Sequence, residues 1–192
     1  MTKTIAIACV LALMSIGAAC AAPTVYNIDP THTYPSFEAD HMGISVWRGK
    51  FNKTVGTVNL DKAAGTGSVD LTIDLSSIDF GLEAMNAWAK GDKFFDVANH
   101  PKATYKGQLT GFVNGAPTKL NGALSLRGFT KPVVLTINSF KCIVHPLLKR
   151  ELCGADATAN FNRADFGLDA GKDWGFKMDV ALRIQVEAVQ AE

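Results

Sequence analysis

The sequence predicts an all-β domain with one short helical excursion, and three observations carry that prediction. Met178–Ala188 alternates, with Met178, Val180, Leu182, Ile184, Val186 and Ala188 on one face and Asp179, Arg183, Gln185 and Glu187 on the other. Turn residues at 63–67, Asn114-Gly115, Asn121-Gly122 and Gly128 punctuate the chain, at the roughly 8–12-residue spacing of an antiparallel sandwich or barrel. Only 82–90 reads as a helix: Met85 and Trp88 fall three apart, and Gly91 follows as a stop.

The remaining strands follow from the same period. Val69, Leu71, Ile73 and Leu75 alternate with Asp70, Thr72 and Asp74, and Tyr105–Val113, Leu120–Leu126 and Val133–Phe140 add three more runs. Ser45–Leu60 is too long for one flat strand. Its apolar phase runs through Trp47, Phe51 and Val55, then shifts to Val58 and Leu60 across Gly56, which predicts a hairpin or a strongly bent strand. No internal repeat, low-complexity tract or linker interrupts the pattern, so residues 22–192 read as a single domain.

The first 21 residues read as a secretory signal peptide. Lys3 supplies the positive start, Ile5–Ile16 the apolar run, and Gly-Ala-Ala-Cys-Ala the small residues before a cut after Ala21. The rival lipoprotein reading would make Cys20 the first residue, but Gly17 stands where such signals usually carry Leu. Removing residues 1–21 takes Lys3 with it and leaves 18 basic against 18 acidic side chains. That balance argues against nucleic acid, whose phosphates demand a basic excess. It also argues against a polybasic hold on an anionic membrane. No later run reaches the length of a membrane span, about 20 residues. The expected location is the periplasm, with the protein soluble after cleavage.

Export changes how the cysteines read. Cys142 and Cys153 are the two left after cleavage, and an even pair in an oxidising compartment is most simply a disulfide. Ten intervening residues fit neither a C-x-x-C redox motif nor the usual zinc spacing.

Catalytic signatures are missing. The chain has no G-x-S-x-G elbow, and Gly65-Thr-Gly67 lacks the third glycine of a phosphate-cradling loop. His32 and His41, with Asp29 and Asp40 nearby, are the best-placed metal candidates. Their spacing matches neither H-x-H nor H-E-x-x-H. No catalytic residue and no cofactor is assigned. What stands out instead is bulky apolar content in loops and the helix, among eleven Phe in all. Phe37, Trp47, Phe51, Ile73, Phe80, Met85, Trp88, Phe94, Phe95, Leu124 and Leu126 are the candidate lining of an internal site. An eight-strand barrel can hold one small apolar ligand without any catalytic motif.

Several motifs strengthen this reading. Tyr26-Asn-Ile-Asp-Pro-Thr-His-Thr33, then Phe37, His41 and Trp47-Arg-Gly-Lys-Phe51, resembles the opening of the YceI family. The likeness continues through Ile73–Ile78, Asp92-Lys-Phe-Phe-Asp96, His100-Pro101, Gly122–Pro132 and Asn162-Arg-Ala-Asp-Phe-Gly167. Thr33 departs from the family's commoner Ser. The resemblance implies a lipocalin-like extended antiparallel β-barrel of about eight strands, with a helix near one end. It further implies an apolar pore for an isoprenoid, a quinone or a fatty-acyl chain. Arg48, Arg127, Lys131 and Arg163 are the cations that could meet a polar head group at the pore mouth.

The leading expectation is therefore a periplasmic, non-enzymatic carrier of an isoprenoid or other long-chain amphiphile. One alternative is an interaction module partnering a quinone-dependent membrane electron-transfer protein, and another is a metal-assisted lipid-modifying enzyme using His32 and His41. A homodimer is compatible with all three.

Overall fold

Eight antiparallel staves close into a ring, and three of them are broken part-way along. The computed structural model describes residues 22–192, so the segment read as a signal peptide lies outside the described residues. The first stave is β1 (Thr24–Ile28) followed by β2 (Tyr34–His41), and the second is β3 (Ser45–Phe51) followed by β4 (Thr54–Asp61). The third is β5 (Thr66–Asp74) followed by β6 (Ile78–Asp79). The other five are β7 (Lys102–Thr110), β8 (Lys119–Leu126), β9 (Phe129–Val144), β10 (Glu151–Asn162) and β11 (Asp179–Gln190). Neighbouring staves pair in order. β11 closes the ring by pairing with β2 (Gln185↔Tyr34) and with β1 (Ala188↔Ile28).

The run Ser45–Asp61 is a bent strand, not a hairpin, and it bends earlier than the sequence suggested. Trp47 and Phe51 face the interior on β3, as do Thr54, Val58 and Leu60 on β4. The odd interval from Phe51 to Thr54 shows that the phase changes at Asn52–Lys53. Ser77 patches the broken ladder there: its carbonyl accepts from Asn52 N at 3.1 Å and its Oγ from Lys53 N at 3.0 Å. Val55, expected in the apolar phase, is instead 57% exposed. Gly56 has a different role. Its φ is +150°, and a Cβ there would stand 2.1 Å from the Asp70 carbonyl oxygen, a close approach only glycine permits.

Asn121-Gly122, read as a turn, lies inside β8. The ring of Tyr105 crosses Gly122 so closely that a Cβ would fall 2.6 Å from its Cζ and hydroxyl. Tyr105 OH donates to the carbonyls of Leu120 (3.1 Å) and Val133 (2.6 Å) across β8 and β9. The glycine is therefore room for a tyrosine, not a chain reversal. The reversal comes at Arg127-Gly128, both with positive φ.

Four strands escaped the sequence reading: β1, β2, the two-residue β6 and β10. β10 is rich in Ala, a poor strand former, yet Cys153, Ala155, Ala157 and Phe161 keep the period and all face inward. β9 carries one extra residue where the pairing steps from Asp156↔Ser139 to Ala157↔Ile137, a bulge that bends this wall. Cys142 and Cys153 are register partners on β9 and β10 and form a disulfide.

The helix α1 (Glu83–Lys90) lies across one end of the barrel. Ala89 is fully buried, and Asn86 Oδ1 accepts from Phe80 N at 2.7 Å, fastening the helix to the segment before it. Gly91 N donates to the Trp88 carbonyl at 3.0 Å and ends it. No described helix is long and apolar enough to cross a membrane.

Candidate functional site

The barrel encloses a cavity of about 780 Å³, within the roughly 300–1,000 Å³ range of small-molecule sites. It exists because one wall is thin. An eight-strand barrel has an interior just wide enough for side chains to fill, and β10 offers only Ala155 and Ala157 where larger residues would close the space.

The two ends of the cavity differ. At one, Leu60, Leu109, Pro117, Leu120, Cys153 and Ala188 line the wall and are all buried. At the other, Trp47, Trp88 and Trp174 line the wall and remain 36%, 46% and 75% exposed. These are all the tryptophans of the chain, and they mark the mouth. Met42 and Ile44, at the tip of the β2–β3 hairpin, and Leu82, before α1, project beside them.

The rings form a continuous run that starts and ends at the mouth. Phe176 meets His41 at 4.9 Å, His41 stacks on Trp47 at 4.2 Å, and Trp47 meets Phe80 at 6.4 Å between centroids. Phe80, Phe37, Phe51, Phe95, Phe94 and Trp88 continue it at 4.8–5.9 Å. Apart from the stacked His41–Trp47 pair these contacts are tilted or edge-on, as aromatic quadrupoles favour. Phe37 also lies over Gly49, where a Cβ would fall 2.6 Å from its Cζ.

The buried polar groups on this wall are almost all engaged by the protein, whereas the wall cation Lys93 is exposed. Tyr26 OH donates to Glu151, and burial, then this bond, pushes its pKa far above the usual tyrosine value. Burial raises Tyr105 to about 12. Thr33 Oγ1 donates to the Glu187 carbonyl at 3.2 Å and accepts from Glu187 N at 3.1 Å. Asp40 accepts from Gly43 N at 3.0 Å and faces Lys177 at 3.9 Å. Arg163, only 6% exposed, donates to the carbonyls of Leu168 and Ala170, and its guanidinium lies 5.8 Å from the Phe94 centroid. Burial lowers the pKa of Arg163, against the pull of Asp169. Among the described residues, Thr54 Oγ1 is the one buried side-chain polar atom without a hydrogen-bond partner.

All eleven apolar residues singled out from the sequence stand on the cavity wall, from Trp47, Met85 and Trp88 at the mouth to Ile73, Leu124 and Leu126 on the strands. Sequence reasoning missed Thr54, Ala155, Ala157, Trp174 and Phe176. The alternation of β10 would have revealed the two alanines, whereas nothing local distinguishes Trp174 or Phe176 from any loop aromatic.

Of the four proposed head-group cations, only Arg163 reaches the cavity. Arg48 points outward, bonding Glu38 at 2.9 Å with Arg183 on the same carboxylate at 3.3 Å. Arg127 ties two loops by donating to the carbonyls of Gly167 and Asp92. Lys131 pairs in register with wall residue Leu124 but is exposed, its long stem carrying the ammonium into water.

The two candidate metal histidines lie at opposite ends of β2, so they do not share a site. His41 is held in the aromatic run, and His32 Nδ1 bonds Asp29 at 2.8 Å. Asp29, His32 and Glu187 each place one ligand atom within 4.8 Å of the others, on the barrel's outside.

A closed antiparallel barrel around an apolar, one-mouthed cavity defines the class of internal-cavity barrel proteins. The family model for the YceI-like domain matches residues 26–188, and the chain belongs to that family. A UPF0312 protein of Vibrio cholerae serotype O1 (strain M66-2) is 28% identical over 192 residues, covering 99% of this chain and 100% of that protein. Among solved structures, the YCEI protein of Campylobacter jejuni aligns with a TM-score of 0.66 at 21% identity, over 80% of this chain and 90% of that one. A polyisoprenoid binding domain from Saccharophagus degradans, implicated in plant cell wall breakdown, aligns with a TM-score of 0.61 at 16% identity. It covers 88% of this chain and 99% of that one. At these identities the structural likeness shows the shared barrel.

Proposed function

We propose that this chain is an exported, non-enzymatic carrier that encloses one isoprenoid or other long-chain amphiphile in the barrel. The observation that carries this reading is the cavity of about 780 Å³ with an almost wholly apolar wall. Each methylene removed from water there is worth about 0.8 kcal/mol, so a long chain binds tightly without any catalytic group. The structural neighbour from Saccharophagus degradans, named as a polyisoprenoid binding domain, supports the ligand class. The leader-like N-terminus and the Cys142–Cys153 disulfide support the periplasm as its place of work. Lys93 and Arg163 are the cations on the cavity wall.

All three tryptophans line the cavity, so titration with a polyprenyl analogue should change the intrinsic fluorescence and saturate at one ligand per chain. Ala157→Phe, which puts a ring into the space that β10 leaves open, should abolish that saturation while the fold persists by circular dichroism. A wild-type protein that takes up no such chain would overturn the reading.

A further inference from the structure

Two threonines in the cavity wall, Thr33 and Thr54, are 1% exposed. Thr33 is satisfied twice over by Glu187. Thr54, at the head of β4 beside the break at Asn52–Lys53, has no partner for its hydroxyl. Buried hydroxyls are ordinarily hydrogen-bonded, and an exception calls for an explanation. Water is a poor one, because a buried water needs two to four polar partners. On the wall, the neighbours of Thr54 along the chain and across the ladder are Phe51 and Ile73. The other buried polar wall groups, Tyr26, Tyr105, Thr33 and Arg163, are each bonded to protein. A step of about 120° between staggered rotamers carries the hydroxyl of a threonine into the site its methyl held and the methyl into the hydrogen's site, so Thr54 can turn its hydroxyl toward whatever fills the cavity.

We propose that Thr54 determines ligand specificity by donating a hydrogen bond to an oxygen of the enclosed chain. The cavity then selects an oxygen-bearing amphiphile, with hydroxyl or carbonyl as the acceptor, over a hydrocarbon of the same shape. This inference rests on the carrier reading and adds to it where one polar atom of the ligand is read.

The test is a two-by-two comparison. Geranylgeraniol and its deoxygenated hydrocarbon of equal chain length are titrated by tryptophan fluorescence into wild type and into Thr54→Val, which keeps the shape and removes the hydroxyl. The alcohol's advantage over the hydrocarbon should be about tenfold larger in wild type than in the variant, the effect of one buried hydrogen bond. Thr54→Ser, which keeps the hydroxyl, should retain the advantage. Without ligand, Thr54→Val should melt at the wild-type temperature or above it, since it removes an unpartnered group. An alcohol advantage equal in wild type and Thr54→Val, or an unliganded Tm lowered by about 2–4 °C, would overturn the proposal while leaving the carrier reading intact. Failure of both probes to enter wild type would instead overturn the carrier reading, and this inference with it.

Discussion

The two ends of the barrel are held by different kinds of force. At the closed end, Lys62 Nζ bonds both carboxylate oxygens of Glu151 at 2.6 and 2.9 Å, and Tyr26 donates to the same group from inside. Arg150 donates to the Gln190 carbonyl at 3.0 Å, and the disulfide joins β9 to β10 nearby. At the mouth, the contacts are ring against ring, with Arg127 and Arg163 strapping loops to backbone carbonyls. Directional and covalent links suit an end that stays shut. Non-directional apolar contacts suit an end through which a chain must pass, because segments that move are drawn from the less stable parts of a fold.

This contrast can be broken deliberately, and the largest effect is expected at the closed end. Replacing both Cys142 and Cys153 by Ser removes a short covalent loop and should cost about 3 kcal/mol, a Tm drop of roughly 6–12 °C, read by thermal melting. Tyr26→Phe comes next. It takes a charge-assisted bond from Glu151 and should cost about 1.5–3 kcal/mol in denaturant melts. Both variants should still take up a polyprenyl chain, because neither touches the mouth.

Acid probes the same corner more gently. Burial on its own would raise the Glu151 pKa, but the bonds from Lys62 and Tyr26 outweigh it and hold the carboxyl below its ordinary 4.5. A carboxyl with a depressed folded pKa contributes its full share above the unfolded value and loses it as pH falls through the folded one. Wild-type stability should therefore fall below about pH 4.5, and Glu151→Gln should flatten that part of the profile in pH-dependent melts. The smallest effect on stability is expected at the mouth. Trp174→Ala, at a residue 75% exposed, should leave Tm within about 1 °C, while stopped-flow uptake of a polyprenyl analogue changes in rate.

The same division explains what the sequence showed and what it withheld. β11 and β5 were legible because one face is buried and the other wet, which writes a period of two into the residues. β10 carries the same period, Ala155, Ala157, Ala159 and Phe161 against Asp156, Thr158 and Asn160, but it passed unread because alanines kept small for the cavity have little strand propensity. Asn121-Gly122 reads as a turn by composition, yet the ring that needs the glycine's space, Tyr105, comes from a neighbouring strand. The phase change at Asn52–Lys53 likewise depends on Ser77, distant in sequence. The apolar wall residues were identifiable from bulk and pattern, but the cations were not. Arg48, Lys131 and Arg163 look alike as letters, and only the third dimension puts one on the wall and two outside it. Thr54 carried no signal at all, since an unpartnered hydroxyl is a property of its surroundings.

Native mass spectrometry of the protein purified from its own host tests the central claim most directly. The account expects a population heavier than the polypeptide by the mass of one long-chain amphiphile, released on denaturation and absent from Ala157→Phe. Protein that carries the bare polypeptide mass, and that still takes up no polyprenyl analogue offered in excess, would contradict it.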